Sequence, residues 1–277
     1  MGTSSRAAAR LASSNASSIA LVSAFMTVDS TQNGHKGERI AKVMARAGLC
    51  SRRDAERWIL EGRVRINGEV LKTPAVTVGE GDEIIVDGKP LRAAEKTRLY
   101  MYHKPEGLVT SAKDERDRPT VFGSLPPELG RVVSVGRLDL STEGLLLLTN
   151  DGGLARHLEL PATGWRRRYK ARVHGRVDEG RLQALEKGIT IEGFHYKSIE
   201  ARLEKQTGAN AWIDIVLTEG KNREVRKVME ALGLRVNRLI RTAYGPFSLG
   251  DLPKGAVLEV KPKVLQEQLA GYFKSKE

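Results

Sequence analysis

One carboxylate, Asp139, stands out among the residues that could carry chemistry. It lies in the segment Val135-Gly136-Arg137-Leu138-Asp139-Leu140-Ser141-Thr142-Glu143-Gly144, a glycine-flanked polar stretch just before a run of leucines. Asp139 follows Arg137 closely and belongs to no cluster with metal-ligand spacing. A carboxylate held beside cations is typical of a nucleophile that stays ionised, whereas an isolated Asp in a turn is more often an ordinary turn residue. The residues that lie near Asp139 in the folded protein must distinguish between these interpretations.

The segment Trp165–Arg172 is rich in cations and aromatic rings. It carries Arg166, Arg167, Arg168, Lys170 and Arg172 beside two aromatic residues. Interleaved cations and rings suit nucleic acid, because cations bind phosphates and rings stack on bases. The alternative is a strand with one solvated face. Tyr169 alternates with the apolar Ala171 and Val173, so the pattern fits a core tyrosine equally well.

A third segment, Glu219–Lys227, follows a predicted strand and begins a predicted helix. Arg223 and Arg226 are three residues apart and lie off the apolar stripe of that helix. A helix start of this kind offers backbone N–H groups together with guanidinium groups. One of these arginines could therefore hold a buried carboxylate ionised. The alternative is a local surface ion pair of little energy.

The composition points to a polyanionic partner. The 277 residues carry a formal net charge of +12, spread through the folded segments, which favours nucleic acid over a membrane surface. No apolar run reaches the roughly 18 residues that a membrane span needs. The single cysteine, Cys50, cannot form an internal disulfide, so we expect a packed thiol and a reducing compartment. The scattered histidines predict no metal site, and the absence of a nucleotide-binding fingerprint predicts no cofactor.

Changes in composition divide the chain into five parts. Residues 1–35 are rich in Ser and Ala with no acid before Asp29, and we expect a disordered N-terminal extension. An organelle transit peptide and a true start at Met26 are the alternatives for this stretch. The remaining parts are a small domain at 36–86, a linker at 87–98, a large domain at 99–263 and a C-terminal helix or tail at 264–277.

The small domain should contain two helices and a twisted sheet with a basic face. Ser51 and Asp54 form a capping box for the second helix, and Asn67-Gly68 marks a hairpin. The expected RNA-binding cations of this face are Arg39, Lys42, Arg46, Arg52, Arg53 and Arg57. Few acids accompany them, although a solvated helix surface is the alternative. The sequence from Gly37 to Leu71 resembles the S4 RNA-binding domain along nearly its whole length.

The large domain should be α+β with a large, mostly antiparallel sheet. The four leucines at 145–148 predict a buried central strand. Val225, Val228, Met229 and Leu232 predict a helix over 222–232, which ends at Gly233, and a further helix is expected over 178–187. The other predicted strands cover 99–103, 132–135, 167–173, 199–203 and 212–217.

The three segments, in this order, resemble the pseudouridine synthases that modify ribosomal RNA. The resemblance covers both domains and includes Lys104-Pro105-Glu106-Gly107, which is similar to the family's Lys-Pro-x-Gly motif. It implies that Asp139 is the catalytic nucleophile and that Tyr169 stacks on the target base. It also implies that Arg226 forms a salt bridge with Asp139. From the distribution of cations, we further expect Arg137, Arg167 and Arg223 to contact RNA. The reaction detaches uracil from ribose and rejoins it through carbon, without a cofactor, and a base stacked in a duplex must first be flipped out.

The segments Asn222–Arg226 and Arg238–Gly245 resemble the branch that acts on large-subunit rRNA. The small-subunit branch carries a Tyr-His-Gln-Val-Lys form at the first of these places. We therefore expect an enzyme that converts one uridine of large-subunit rRNA to pseudouridine, as a bacterial cytoplasmic monomer without an obligate protein partner. Arg223, Arg238 and Arg241 should grip the phosphates that flank the target. The alternatives are an enzyme for small-subunit rRNA and a non-catalytic S4-type assembly factor.

Overall fold

The structure is a computed structural model that describes residues 37–274. The prediction for residues 1–35 falls outside these described residues. The elements of the N-terminal domain are, in chain order, β1 (Glu38–Arg39), α1 (Ile40–Arg46), α2 (Arg52–Leu60), β2 (Val64–Ile66), β3 (Glu69–Val70), β4 (Thr77–Val78), β5 (Ile84–Val86) and β6 (Lys89–Pro90).

Local signals in the sequence set the geometry of this domain. The Ser51 hydroxyl accepts the Asp54 N–H at 3.0 Å and so caps α2, as predicted. Asn67 and Gly68 both have positive φ, which matches the turn that a two-residue hairpin between β2 and β3 requires. The buried faces of α1 and α2 meet the sheet in one core: Ile40, Ala41, Met44, Cys50, Ala55, Ile59, Val64, Val78, Ile84 and Val86.

The linker is shorter than predicted. Asp87-Gly88 forms a second hairpin turn, and β6 pairs with β5, so residues 87–90 belong to the N-terminal domain. The rest of the linker is held against both domains. Arg46 donates to the Glu95 carbonyl at 2.6 Å, and the Asn150 side chain donates to the Lys96 carbonyl at 2.9 Å.

The C-terminal domain is α+β, as predicted. Its strands are β7 (Leu99–Lys104), β8 (Val133–Ser134), β9 (Thr142–Thr149), β10 (Arg167–His174), β11 (Ile189–Ile191), β12 (Phe194–Tyr196), β13 (Ile199–Thr207), β14 (Asn210–Leu217), β15 (Arg235–Tyr244), β16 (Phe247–Ser248) and β17 (Val257–Glu259). Its helices are α3 (Gly152–Glu159), α4 (Glu179–Ala184), α5 (Glu224–Ala231), α6 (Pro262–Gln268) and α7 (Ala270–Lys274).

In the described residues, nine strands form one large sheet, which is antiparallel except where β15 runs parallel to β9. The main order is β13-β14-β10-β15-β9-β7-β17, so the four-leucine strand β9 lies inside the sheet. Every residue of β9 is buried, which confirms the predicted central strand. Apolar side chains cover both faces of the sheet and form two cores.

The C-terminal segment is part of the domain rather than a tail after residue 263. Leu265, Leu269 and Tyr272 of α6 and α7 are buried in the core that also holds Leu145 and Leu147 of β9. The Tyr272 hydroxyl donates to the Asp151 carboxylate at 3.0 Å. Within residues 37–274, no helix is both long and apolar enough to cross a membrane.

Candidate active site

The loop that carries Asp139 connects β8 to β9 at the edge of a cavity. Its backbone closes a turn, because the Thr142 N–H donates to the Asp139 carbonyl at 3.0 Å. The Gly107 N–H donates to the Leu140 carbonyl at 2.8 Å, which attaches the loop to the Lys104–Gly107 segment. The Asp139 side chain keeps 32% of its surface exposed, so a ligand in the cavity can reach it.

Lys104 contacts this loop from the protein interior. It is fully buried at the end of β7, and its ammonium donates to the carbonyls of Pro105, Asp139 and Thr142 at 3.0, 3.2 and 2.9 Å. Burial lowers the pKa of Lys104 to about 8, although the nearby Asp139 opposes this shift. Three carbonyl contacts on one ammonium fix the backbone of Asp139 from within the protein.

The predicted salt bridge between Asp139 and Arg226 is wrong. Arg223 is the partner, with its guanidinium 3.7 Å from Asp139 Oδ2. Arg226 instead donates to the carbonyls of Val236 and Ser141 at 3.0 and 2.9 Å, which ties the Asp139 loop to β15. The two arginines differ in their position relative to the helix. Arg226 lies within α5, which begins at Glu224, whereas Arg223 precedes α5 in a left-handed conformation with φ of 52°. Such a conformation is costly for a non-glycine residue, and it occurs at the residue whose guanidinium lies beside Asp139.

The cavity beside Asp139 has a volume of about 310 Å³. This lies at the small end of the usual range for small-molecule sites. Its lining includes five of the residues predicted for the site, which are Arg137, Asp139, Arg167, Tyr169 and Arg223. Arg226 supports the loop from outside this lining. Tyr169 is only 9% exposed and belongs to the main core, so it is a core tyrosine whose surface also reaches the cavity.

Two buried arginines, Arg167 and Arg241, lie around Tyr244 in the cavity wall. Arg167 donates to the Tyr244 hydroxyl at 2.9 Å and to the Thr218 carbonyl at 2.7 Å. Arg241 is 2% exposed and donates from Nε to the Leu145 carbonyl at 2.7 Å, with its carbon Cζ 5.2 Å from the Tyr244 ring centre. Both cations are therefore part of the cavity wall, and their contact with RNA stays a prediction. Arg238 is also engaged, because it pairs with the buried Glu143.

Gly144 of the Asp139 motif makes this wall possible. It has φ of 108° and lies opposite Arg241 where β9 and β15 run parallel. A Cβ at this position would come within 2.3 Å of the Arg241 carbonyl oxygen. Only glycine permits this approach of the two backbones, so the motif residue is required by the packing of the cavity wall.

Glu224 is a further residue of the cavity lining, and sequence patterns do not single it out. It is 4% exposed, and its Oε2 accepts the Lys221 N–H at 2.9 Å. Burial raises the pKa of this carboxyl group to about 7. In a sequence it is indistinguishable from the acidic residues that commonly occupy the first turn of a helix.

Comparison with known proteins identifies the family. Residues 98–231 match the family model of RNA pseudouridylate synthases, and residues 38–84 match that of the S4 domain. A protein of Rickettsia felis named as an RNA pseudouridine synthase is 46% identical over 83% of this chain and 100% of its own length. The chain belongs to the RNA pseudouridine synthase family. The predicted combination of an S4 domain with a synthase domain is confirmed, and the protein is an RNA pseudouridine synthase.

Other relatives agree with this assignment. The ribosomal large subunit pseudouridine synthase B of Pasteurella multocida is 43% identical, over 79% of this chain and 66% of that protein. The protein of the same name from Yersinia pestis is 41% identical, over 82% of this chain and 74% of that protein. A crystal structure of a pseudouridylate synthase superposes on this synthase with a TM-score of 0.59 and 29% identity, and covers 84% of this chain and all of that one.

The basic face predicted for the S4 domain is partly neutralised. Arg57 pairs with Asp54 at 2.9 Å and with Glu61 at 3.6 Å, and Lys42 pairs with Glu38. Arg46 turns away from solvent toward Glu95 and Thr97 of the linker. Of the six predicted cations, Arg39, Arg52 and Arg53 make no ion pair with any residue in 37–274.

A cleft of about 630 Å³ between the S4 domain and the synthase domain collects several cations. Lys42, Arg46 and Arg52 line it from the S4 domain, and Arg131 and Arg156 line it from the synthase domain. Asp151 and Glu159 are the acids in its lining, so cations outnumber acids there. Glu159 also lines the Asp139 cavity, and the two spaces therefore meet at this residue.

The cations of β10 divide between its two faces. Arg167 and Tyr169 point inward, whereas Arg168 and Lys170 point outward. Arg168 pairs with Asp214 of β14, and Lys170 pairs with Glu204 of β13. The solvated-face interpretation is therefore correct for these outer cations. Trp165 stacks on Phe247 at a ring distance of 6.3 Å and packs against the second core. Within residues 37–274, no group of three or more His, Cys, Asp or Glu side chains could hold a metal ion.

Proposed function

We propose that this synthase converts one uridine of large-subunit rRNA to pseudouridine, with Asp139 as the nucleophile acting on a flipped-out nucleotide. The observation that carries the proposal is the position of Asp139, a partly exposed carboxylate beside Arg223 at the edge of a cavity lined by Tyr169. A carboxylate that a ligand can reach is a group able to act as a nucleophile in covalent catalysis.

The size and lining of the cavity support an unpaired uridine as the ligand. A volume of about 310 Å³ suits one small ligand and leaves no room for a base pair with its two strands. The chemistry takes place at the bond between base and ribose, so an enzyme must extract the nucleotide from a stack before it can act. Tyr169 offers its ring to the extracted base, since stacking on an aromatic side chain replaces the stacking lost in RNA.

The cleft between the domains supports binding of the RNA strand that carries the target. A cation-lined groove that shares the lining residue Glu159 with the Asp139 cavity suits a phosphate backbone next to the target nucleotide. Contacts of this kind position RNA without reading its sequence. Arg52 and Arg156 are exposed in this cleft and form no ion pair with any residue in 37–274, so they are the best-placed phosphate ligands.

Large-subunit rRNA is favoured by the names of the relatives from Pasteurella multocida and Yersinia pestis, both called large-subunit enzymes. Their bacterial origin also favours a bacterial cytoplasmic location.

The proposal is tested by mapping pseudouridine on rRNA from cells that lack the synthase, before and after incubation with the purified protein. We expect one new pseudouridine in large-subunit rRNA and none in small-subunit rRNA. Modification confined to small-subunit rRNA would contradict the proposed substrate but leave the enzyme class unchanged.

A further inference from the structure

Glu224 is a second carboxyl group in the Asp139 cavity, with no part in the reaction proposed above. It is the first residue of α5 and is 96% buried, since only 4% of its surface is exposed. Its Oε2 accepts the Lys221 N–H at 2.9 Å, whereas its Oε1 has no hydrogen-bond partner among residues 37–274. A buried polar atom without a partner is costly, and Glu224 lines the cavity, so its Oε1 is a free hydrogen-bonding atom in the cavity wall.

The charged groups around Glu224 do not neutralise it. The Lys221 ammonium is engaged by the Glu219 carboxylate at 3.0 Å, and Glu219 itself is negative. The Arg167 guanidinium donates to Thr218 and Tyr244 instead of Glu224. A buried carboxyl group without a salt-bridge partner favours its neutral form, and burial accordingly raises the pKa of Glu224 to about 7.

The position of the proton follows from the hydrogen bonds. The Lys221 N–H is a donor and needs a lone pair, so Oε2 must act as the carbonyl oxygen of the neutral carboxyl group. The hydroxyl hydrogen then resides on Oε1, the atom without a partner. In its neutral form, Glu224 therefore presents a hydrogen-bond donor to a ligand of the cavity.

We propose that Glu224 recognises the uracil ring by donating a hydrogen bond from Oε1 to a ring carbonyl oxygen of the bound uridine. This rests on the proposed function, in which a uridine occupies the cavity. When the bond between N1 and C1′ breaks, its electron pair stays with the ring, and negative charge develops on O2 and O4. A neutral donor stabilises that charge, whereas an ionised carboxylate would repel it. The proton stays on Glu224, because the net reaction only exchanges the N1–C1′ bond for a C5–C1′ bond and moves the C5 hydrogen to N1.

The geometry of uracil allows one donor to serve both substrate and product. The ring must turn so that C5 takes the place of N1. A half-turn about the axis through N3 and C6 achieves this, and the same half-turn exchanges O2 with O4. A donor that faces one carbonyl oxygen before the turn thus faces the other afterwards. A single fixed residue in the cavity wall is therefore sufficient, and Glu224 is fixed by its own bond to Lys221.

The test compares kcat/KM at pH 6 and pH 8.5 for the full-length wild type, Glu224→Gln and Glu224→Leu. The substrate is complete rRNA from cells that lack the synthase. If the neutral form is the active one, wild-type kcat/KM should fall about 30-fold between these pH values, given a pKa of about 7. Glu224→Gln should stay within about threefold of the wild type at pH 6 and should lose this fall, because its amide accepts from Lys221 and donates at every pH. Glu224→Leu should lose at least about tenfold at pH 6.

Glu219→Gln is the matched control, since Glu219 is a buried carboxyl group of the same loop that does not line the cavity. This variant should keep a falling pH profile. The proposal would be overturned by a wild-type kcat/KM that does not change with pH, or by a Glu224→Gln variant whose kcat/KM still falls with pH. It would also be overturned if Glu224→Gln were as defective as Glu224→Leu. Melting temperatures separate these results from a folding defect. The assay contains both ribosomal RNAs. If the large-subunit assignment is wrong, the product appears in small-subunit rRNA, and the pH profiles of the Glu224 variants can still be compared on that product.

Discussion

Replacing Arg226 with alanine should destabilise the protein, whereas replacing Arg223 should not, although both guanidinium groups lie near Asp139. Arg226 donates to the Ser141 and Val236 carbonyls at 2.9 and 3.0 Å and so holds the Asp139 loop against β15. Hydrogen bonds from charged donors contribute about 1.5–3 kcal/mol each. With both bonds lost, we expect the free energy of unfolding to fall by about 3 kcal/mol. For a domain of this size, the melting temperature should then drop by roughly 6–12 °C.

Arg223 should behave differently because its ion pair is exposed. Its side chain is 49% exposed and lies 3.7 Å from Asp139 Oδ2. Ion pairs of this kind contribute about 0–1 kcal/mol to stability, so the melting temperature of Arg223→Ala should fall by less than about 4 °C. Its kcat/KM should nevertheless fall by roughly tenfold, because the cation beside the nucleophile is lost.

Scanning calorimetry and single-turnover assays on rRNA measure the two effects separately. Arg226→Lys is the informative intermediate: it keeps the charge, but one ammonium cannot reproduce the two-pronged contact, so it should melt between the wild type and Arg226→Ala. The reasoning would be refuted by an Arg226→Ala variant that melts like the wild type, or by an Arg223→Ala variant that melts as early as Arg226→Ala.

Two further predictions concern pH and salt. The pKa of Lys104 is about 8 in the folded protein against 10.5 as its ordinary value, so the unfolded chain binds more protons between these pH values. The free energy of unfolding of the wild type, minus that of Lys104→Met, should therefore rise by up to about 3 kcal/mol from pH 8 to pH 10.5. A difference that stays constant over this pH range would contradict this prediction. Arg52→Gln and Arg156→Gln, in the cleft between the domains, should each reduce the slope of log K against log salt for RNA binding by about 0.7–0.9. Arg57→Gln, on the same helix as Arg52 but paired with Asp54 and Glu61, should leave the slope unchanged.

The parts of the fold that sequence predicts well are those with local signals. The hairpin turn at Asn67-Gly68 and the Ser51 cap depend on the chemistry of a few neighbouring residues, and both form as expected. The four leucines of β9 are apolar on both faces, and a strand of that kind is stable only inside a covered sheet. Periodicity in β10 also predicts the position of a charged residue. Arg167 shares the alternation of Tyr169, Ala171 and Val173, which predicts its inward position.

The parts that sequence could not give depend on backbone conformations and on contacts between distant segments. Nothing in the residue types around Arg223 requires φ of 52°, yet this conformation decides which arginine faces Asp139. Arg46 has the helical spacing of a surface cation, but the linker residue Glu95 lies within reach of its guanidinium only in the folded protein. Glu224 acquires its unusual protonation from burial, a property of the assembled cavity rather than of the helix start that it occupies.

The most direct test of the central claim is the activity of Asp139→Asn on rRNA from cells that lack the synthase. The substitution preserves the size of the side chain and removes only the nucleophile and its charge, so RNA binding and the melting temperature should stay close to those of the wild type. Asp251→Asn, at an exposed turn outside the cavity, is the control and should remain fully active. The account predicts no detectable pseudouridine with Asp139→Asn. Turnover within a few-fold of the wild type would contradict the assignment of Asp139.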